Sequence, residues 1–436
     1  MTASVCLSAL VAGACADDGE GGAANSNGAA EQVEVGRSGL LTDNGPCDAS
    51  LAAYPVGTMT VFESPVLSLI DQVHAAEAAV EAFNSRGGVG GHCMVLTTCD
   101  TKFDPNGEVQ CARELVEGGV VATLNDVTAV NPSGVTAITG EAGLPRVGVT
   151  PGPEELNQPN SYPLGAGAVG EVLAQVPTLA RSGHKKIAIV HLSAPVTQGL
   201  RGVIEPMLDA YGAEVTAMIP VAAGTTDYQQ FILVAAESGA DGVMLLLGEA
   251  EAVQVIRAAE QLASDLVLAS GLTAYPHAAA EDLGEFASRL VFNSEVPPIT
   301  ASLEEWPILA DVIADLSASG EPALQRDEIS SSSFRSWLAV YALVRVVETF
   351  GNPDDISRNA VTTALAAATD VDFFGIIPPW TPSSGSGEGL LGSVSNPYYY
   401  QAMFDPATSE FVIDDEQINI VEEFDGNLDY PQPPAR

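Results

Sequence analysis

Three glycines, Gly165, Gly167 and Gly170, stand in the order G-x-G-x-x-G within LGAGAVGEV. In a dinucleotide-binding turn that spacing lets backbone approach a pyrophosphate at a helix N-terminus. It also needs a buried strand just before the first glycine and an acid about 20 residues further on. Only the helix is present here. NQPNSYPL precedes Gly165, and its prolines and polar residues deny a central strand. No Asp or Glu closes the next strand-like run, KKIAIVHLS. The stretch is read as empty of any nucleotide, and no cofactor is expected.

Other chemistry is equally thin. Neither a G-x-S-x-G nucleophile turn, a G-x-x-x-x-G-K-[ST] phosphate loop nor an H-E-x-x-H metal helix occurs. The histidines at 74, 92, 184, 191 and 277 share no ligand spacing, so no metal site is expected. Asp414, Asp415 and Glu416 lack the glycine and the spacing of a calcium loop and read as solvated acids. Among 57 Asp and Glu residues, close pairs arise by chance and do not nominate an acid–base dyad. The chain is not expected to be an enzyme.

Against those acids stand 16 basic residues, giving a formal net charge of -41, and only Lys102, Lys185 and Lys186 are lysines. Such a surface repels phosphate backbones and anionic lipid, which excludes nucleic acid and a polybasic membrane patch. The charge itself reads as a solubility device suited to a salty medium.

The N-terminus reads MTASVCLSALVAGACADD. Its apolar run, Ala3 to Ala14, is too short to span a bilayer but suits the core of a secretion signal. Ala12, Gly13 and Ala14 directly before Cys15 resemble a bacterial lipobox, in which the cysteine is lipidated, although no Lys or Arg precedes the run. Residues 1–15 are therefore expected to be a signal peptide with lipobox, and 16–54 a flexible tether and N-terminal extension. Outside the cytosol thiols pair. Cys93 and Cys99 lie on one strand-like run, CMVLTTC, about 20 Å apart, and cannot bond to each other. Two pairings of the four body cysteines survive. Cys99 with Cys111 and Cys47 with Cys93 is favoured, because the first closes a short strand-to-helix loop.

A chain of 436 residues, 46% hydrophobic, is long enough for two domains with separate cores. From Thr58 a β-branched apolar run, a turn and a helix-length amphipathic segment alternate. TMTVF precedes VLSLIDQVHAAEAAVEAFNSRGG, and CMVLTTC precedes GEVQCARELVEGG. After Gly170 the rhythm resumes through KKIAIVHL, AEVTAMIPV, DGVMLLL and LVLAS. The alternation predicts an α/β fold, two doubly wound parallel sheets covered on both faces. Gly118, Gly183, Gly212 and Gly239 follow amphipathic runs where a left-handed cap is wanted. SLEEWPILADVIADLSASG and SFRSWLAVYALVRVVETFG read as helices without intervening strands, and YYYQAMFDPATSEFVI as a hairpin. Gly165 and Gly167 fall between the two blocks and read as a hinge.

Taken together, FNSRGGVGGHCMVLTTCDTKFDPNGEVQCARELV, HKKIAIVHLSAPVTQGLRGVIEPMLDAYGAEV, TTDYQQFILVAAESGADGVMLLLGEAEAVQVIRAA and FFGIIPPW resemble a known family. It is that of the type I periplasmic binding proteins of the leucine/isoleucine/valine type, the solute-binding lipoproteins of ABC importers. The resemblance runs from about Thr58 to Val421. It implies two lobes joined by three crossings, with the solute held in the cleft as they close. The N-terminal lobe would be 55–163 with 295–372, the hinge 164–170, the C-terminal lobe 171–293 with 376–424, and the tail 425–436.

Strand position in that fold places Thr128, Thr150 and Gly152 on the first lobe's rim, where hydroxyls and backbone N–H groups would receive a carboxylate. The second lobe would present Thr197, Glu249, and Thr273 or Tyr275. Amino-acid binders of the family often carry an aromatic residue where Val196 and Thr197 stand, and some carry a glutamate for the ligand's ammonium where Thr273 stands. Glu249 would then supply that charge from the neighbouring loop. The resemblance implies a monomeric, lipid-anchored receptor on the outer face of the bacterial cytoplasmic membrane. It would deliver a small polar solute, a branched-chain or other amino acid, an amide or a related carboxylate, to ABC permease subunits. A sensory module of the same fold acting on a signalling partner is the alternative.

Overall fold

The computed structural model describes residues 36–62, 64, 67–152, 155–193, 200–222, 224–272, 275, 277–385, 389–414 and 416–428. The expected signal peptide, Cys15, most of the expected tether, Thr197, Thr273 and the last eight residues of the expected tail lie outside them. Two sheets, one of five strands and one of eight, organise one compact unit.

The first sheet is parallel throughout, in the order β2-β1-β3-β4-β5. Its strands are β1 (Tyr54–Thr60), β2 (Met94–Asp100), β3 (Ala122–Leu124), β4 (Arg146–Val147) and β5 (Ser161–Tyr162). Strands β1 and β2 run in register from Tyr54 opposite Met94 to Thr60 opposite Asp100. On one face Met59 packs with Cys111, Leu115 and Val135 of the Pro105–Glu117 and Pro132–Glu141 helices. The other is covered by the Ile70–Ser85 helix against Ser331–Phe350, where Phe83 meets Trp337 at 5.4 Å and Trp337 stacks on Tyr341. Burial on both faces explains the unbroken apolar runs. The D-P and N-P starts work as caps: Asp104 accepts from the N–H groups of Asn106 and Gly107, and Asn131 from that of Gly134.

The second sheet has eight strands, in the order β12-β11-β10-β9-β8-β6-β7, with β13 paired to β11. Strands β6 (Lys186–Leu192), β7 (Glu214–Val221), β8 (Gly242–Leu246), β9 (Val267–Gly271) and β10 (Leu290–Ser294) are parallel to their neighbours in this set. Strands β11 (Tyr398–Asp405), β12 (Glu410–Ile413) and β13 (Ile418–Asn419) add an antiparallel margin. Alternate residues of β6 feed opposite cores: Ile187 and Ile189 face one cluster, Ala188 and Val190 the other.

Two sequence expectations change, and one strand, β10, goes unannounced in the sequence, since LVFNS follows directly on a 3-10 turn. Gly118 is right-handed at φ -68°, and Gly119 at φ 78° takes the left-handed position instead. The N-terminal extension is docked from Gly36 onward. The Arg37 guanidinium donates to buried Asp315 at 2.7 Å and lies beside Asp311, and a Cys47–Cys93 disulfide follows. A second disulfide joins Cys99 and Cys111.

The chain passes between the halves three times. It leaves β5 through Leu164–Ala166 into the Gly167–Arg181 helix, which packs on β8, β9 and β10. It returns after Ser294, builds the Leu309–Ser317 and Ser331–Phe350 helices, and re-enters the second sheet at β11. Among the described residues, no helix is long and apolar enough to cross a membrane.

Candidate functional site

Ligands of open α/β sheets collect beyond the carboxyl ends of the strands, so the site is built from what stands there. In the first half β3 runs into Asn125 and Asp126. Asn125, left-handed at φ 47°, aims its amide at the Ser332 carbonyl and the Ser336 hydroxyl, and accepts from Thr150 Oγ1 at 2.9 Å. Asp126 is fully buried and accepts from the Met59 N–H, Thr123 and Arg146 Nε. Burial pushes its pKa up against the opposing pull of the Arg146 guanidinium.

Two of the three positions expected to receive a ligand carboxylate already hold one. Thr128 Oγ1 donates to Glu155 Oε1, and the Gly152 N–H donates to Glu155 Oε2 at 3.0 Å. Arg146 Nη1 lies 3.5 Å from the same glutamate, and neither Arg146 nor Glu155 is exposed. The reading of the pair as a carboxylate acceptor therefore meets a correction: the chain's own Glu155 fills it, balanced by a buried guanidinium. Thr150, half-buried, is committed to Asn125.

On the same half Asp71, in the first turn of Ile70–Ser85, accepts from Ser330 Oγ at 2.7 Å and Ser333 Oγ at 3.0 Å. Ser330 is the N-cap of the Ser331–Phe350 helix, and Glu328 lies just ahead of it. From the second half, Glu249 opens the Glu249–Gln261 helix at the end of β8. Its side chain reaches solvent. Surrounding protein nevertheless strips part of its hydration, and the carboxylates of Asp71 and Glu328 add to that, so its pKa is pushed up. The 326–328 turn also touches the His277–Glu281 helix of the second half. Asp71 and Glu328 of the first half therefore act electrostatically on Glu249 of the second.

Tyr275, expected on the rim, belongs to the core of its own half. It is 2% exposed, stacks on Phe292 at 5.3 Å and donates to the Ala279 carbonyl. Gly165 and Gly167 sit at the first crossing, and Gly167 is left-handed at φ 56°. A side chain at Gly165 would overlap the Glu295 carboxylate, and one at Gly170 the Tyr399 hydroxyl. The spacing that imitates a nucleotide turn instead makes room for two buried polar groups.

Sequence reasoning missed Arg146, Glu155, Asp71, Glu328 and the Arg335 cluster behind the crossings. The available signal was a lone cation inside an apolar run, GLPRVGV for Arg146 and SFRSWLAV for Arg335, since a buried charge demands partners.

Two α/β halves with three crossings, and polar rims meeting at their strand ends, define a two-lobed solute-binding fold. The profile of the family described as periplasmic binding protein matches residues 54–412, and the chain belongs to that family. Membership implies an extracytoplasmic location. The Leu/Ile/Val-binding protein homolog 3 of Brucella melitensis is 26% identical over 205 residues, 46% of this chain and 55% of that one. The chain thus spans about half the length of that relative. A substrate-binding periplasmic protein from Ralstonia solanacearum has TM-score 0.69 at 17% identity, covering 83% of this chain and 99% of that one. A fatty acid ABC transporter substrate-binding protein from Thermomonospora curvata also has TM-score 0.69 at 17% identity, over 90% and 97%.

Proposed function

We propose that the protein is the solute receptor of an ABC importer, lipid-anchored at Cys15 outside the cytoplasmic membrane. It would capture a small polar solute bearing an ammonium group, such as an amino acid or amine, between its two halves. What supports the ligand class is the upward push that Asp71 and Glu328 of one half exert on the Glu249 carboxyl of the other, beside the contact between the 326–328 turn and the His277–Glu281 helix. Carboxylates repelling one another across the halves would oppose closure, and a cation placed among them would relieve that repulsion in the closed form. A solute favouring closed over open protein shifts the pre-existing equilibrium between them, and the closed shape is what a permease would recognise.

Glu155 supports the same reading from the first half. With Thr128 and Gly152 engaged by an internal carboxylate, those donors are withheld from an anionic solute. Thr197, Thr273 and Thr150, whose proton goes to Asn125 but whose oxygen can still accept, are the hydroxyls proposed to orient the solute, with Glu249 as its charge partner.

A thermal-shift panel of amino acids, amines, amides, urea and short organic acids tests this. At a concentration of 100 times Kd, a solute binding only native protein stabilises it by about 2.7 kcal/mol. Ammonium-bearing solutes should raise the midpoint, Glu249→Gln should abolish the rise, and affinity should fall as pH drops through the raised pKa of Glu249. A panel in which no solute shifts the midpoint, or only acids lacking an amine do, would remove the reading.

A further inference from the structure

We propose that Arg335, Glu171, Glu295 and Tyr399 form a stiff pivot at the crossings, with Arg335 as the positioning residue that sets how far the two halves stand open. The inference rests on the two halves moving about these crossings, as the solute-receptor reading requires.

The four residues come from both halves and from the crossings themselves. Arg335 lies on the Ser331–Phe350 helix, packed on the first half, whereas Glu171 lies on Gly167–Arg181, packed on the second sheet. Glu295 directly follows β10 at the second crossing, and Tyr399 lies in β11 just past the third. Each of the four is at most 5% exposed, so water neither screens nor replaces their contacts. Arg335 Nη2 pairs with Glu171 at 3.1 Å and Arg335 Nε with Glu295. Tyr399 accepts from the Ala166 N–H at 3.0 Å, and its oxygen lies 3.2 Å from the Gly167 carbonyl and 3.3 Å from Glu295. The Gly167 N–H donates to Glu295 Oε2 at 3.2 Å, and Asn396 ties the Leu164 carbonyl at 2.9 Å. All three crossings are therefore laced to one guanidinium.

Charge explains why the lacing is stiff. Two carboxylates face one cation, and the excess negative charge sits at the N-terminus of a 15-residue helix, where the backbone dipole favours it. Burial works against the charged guanidinium, but the Glu295 and Glu171 carboxylates outweigh it and hold the Arg335 pKa above its ordinary value. A forked donor bonded to two fixed acceptors tolerates little rotation, since any twist strands a buried charge. Small residues at Gly165 and Gly170 are there to admit this network. The hinge expected from the sequence as a loose glycine joint is in this reading a braced one.

The test uses the full chain without solute, in three forms: Tyr399→Phe, Arg335→Lys, and the charge-free Arg335→Met/Glu171→Gln/Glu295→Gln. Hydrogen exchange at Ala166 and Gly167 is compared with exchange in β8, alongside small-angle scattering. A pivot predicts exchange at the crossing about tenfold faster while β8 is unchanged. It also predicts a scattering profile shifted toward wider separation, retained in the charge-free variant even where its melting temperature recovers. Crossing and β8 amides that accelerate together, or scattering that matches the parent in every variant, would reduce the network to ordinary core stabilisation and overturn the proposal. Should either Arg335 variant fail to fold, the scattering profile of Tyr399→Phe decides, because Ala166 loses its own acceptor in that variant and its exchange would quicken with or without a pivot. No solute enters the measurement, so an empty thermal-shift panel leaves its outcome intact.

Discussion

His92 offers both ring nitrogens to acceptors, Nδ1 to the Ala52 carbonyl at 2.8 Å and Nε2 to Asp354 at 3.2 Å. Both bonds are satisfied only when both nitrogens carry protons. The Ala52 carbonyl first, then Asp354, therefore raise the His92 pKa against the opposing effect of burial. A raised folded pKa contributes stability that is fully present below the unfolded value of about 6.5 and is lost as pH rises through the folded value. The melting temperature of the parent minus that of His92→Gln should thus be largest near pH 5.5 and shrink by pH 8; a gap that widens with pH would contradict this. At this scale the sequence was least legible. Thr128 and Gly152 were found by strand position, but Glu155 was not, because nothing in PGPEELNQP says that its carboxylate folds back on donors up to 27 residues away. Tyr275 looked like a rim residue because its loop follows a strand, and the ring then turned inward onto Phe292.

The Gly167–Arg181 helix shows what a propensity argument leaves out. Replacing an internal helix glycine by alanine normally stabilises by about 1 kcal/mol. At Gly170 the added methyl would overlap the Tyr399 hydroxyl, so Gly170→Ala should lower the melting temperature instead. Gly170→Ala in a Tyr399→Phe background should lose less, and a double-mutant cycle without coupling would contradict the contact. Elements were the most legible scale. Strands β6 and β8 announce themselves as β-branched or apolar runs between turns, since both faces are buried, and Asp104-Pro105 announces a helix start. Strand β5 does not, because two residues carry no period. Strand β10 hides behind the turn that leads straight into it.

Across the molecule several arginines are drawn onto buried acids, while Arg201, Arg257 and Arg289 pair with acids at the surface. Arg86, Arg146 and Arg335 are buried against carboxylates, and Arg37 and Arg181 reach buried acids from the surface. What remains outside is strongly acidic, from a chain of net charge -41. Like charges on a compact body repel, and salt shortens their reach from about 30 Å at 0.01 M to about 8 Å at 0.15 M. Raising sodium chloride across that range should therefore raise the melting temperature, and a flat or falling response would show that the surface acids are locally neutralised. The two-part organisation was legible because the strand–helix rhythm stops and restarts around Gly170, whereas the docked extension was not, its hold depending on Asp315 far along the chain. That docking has a mechanical consequence. Arg37 on Asp315 and the Cys47–Cys93 cross-link both fasten the extension to the first half. A pull applied at Gly36 would therefore load the first half, where both fastenings lie, before it reached the second.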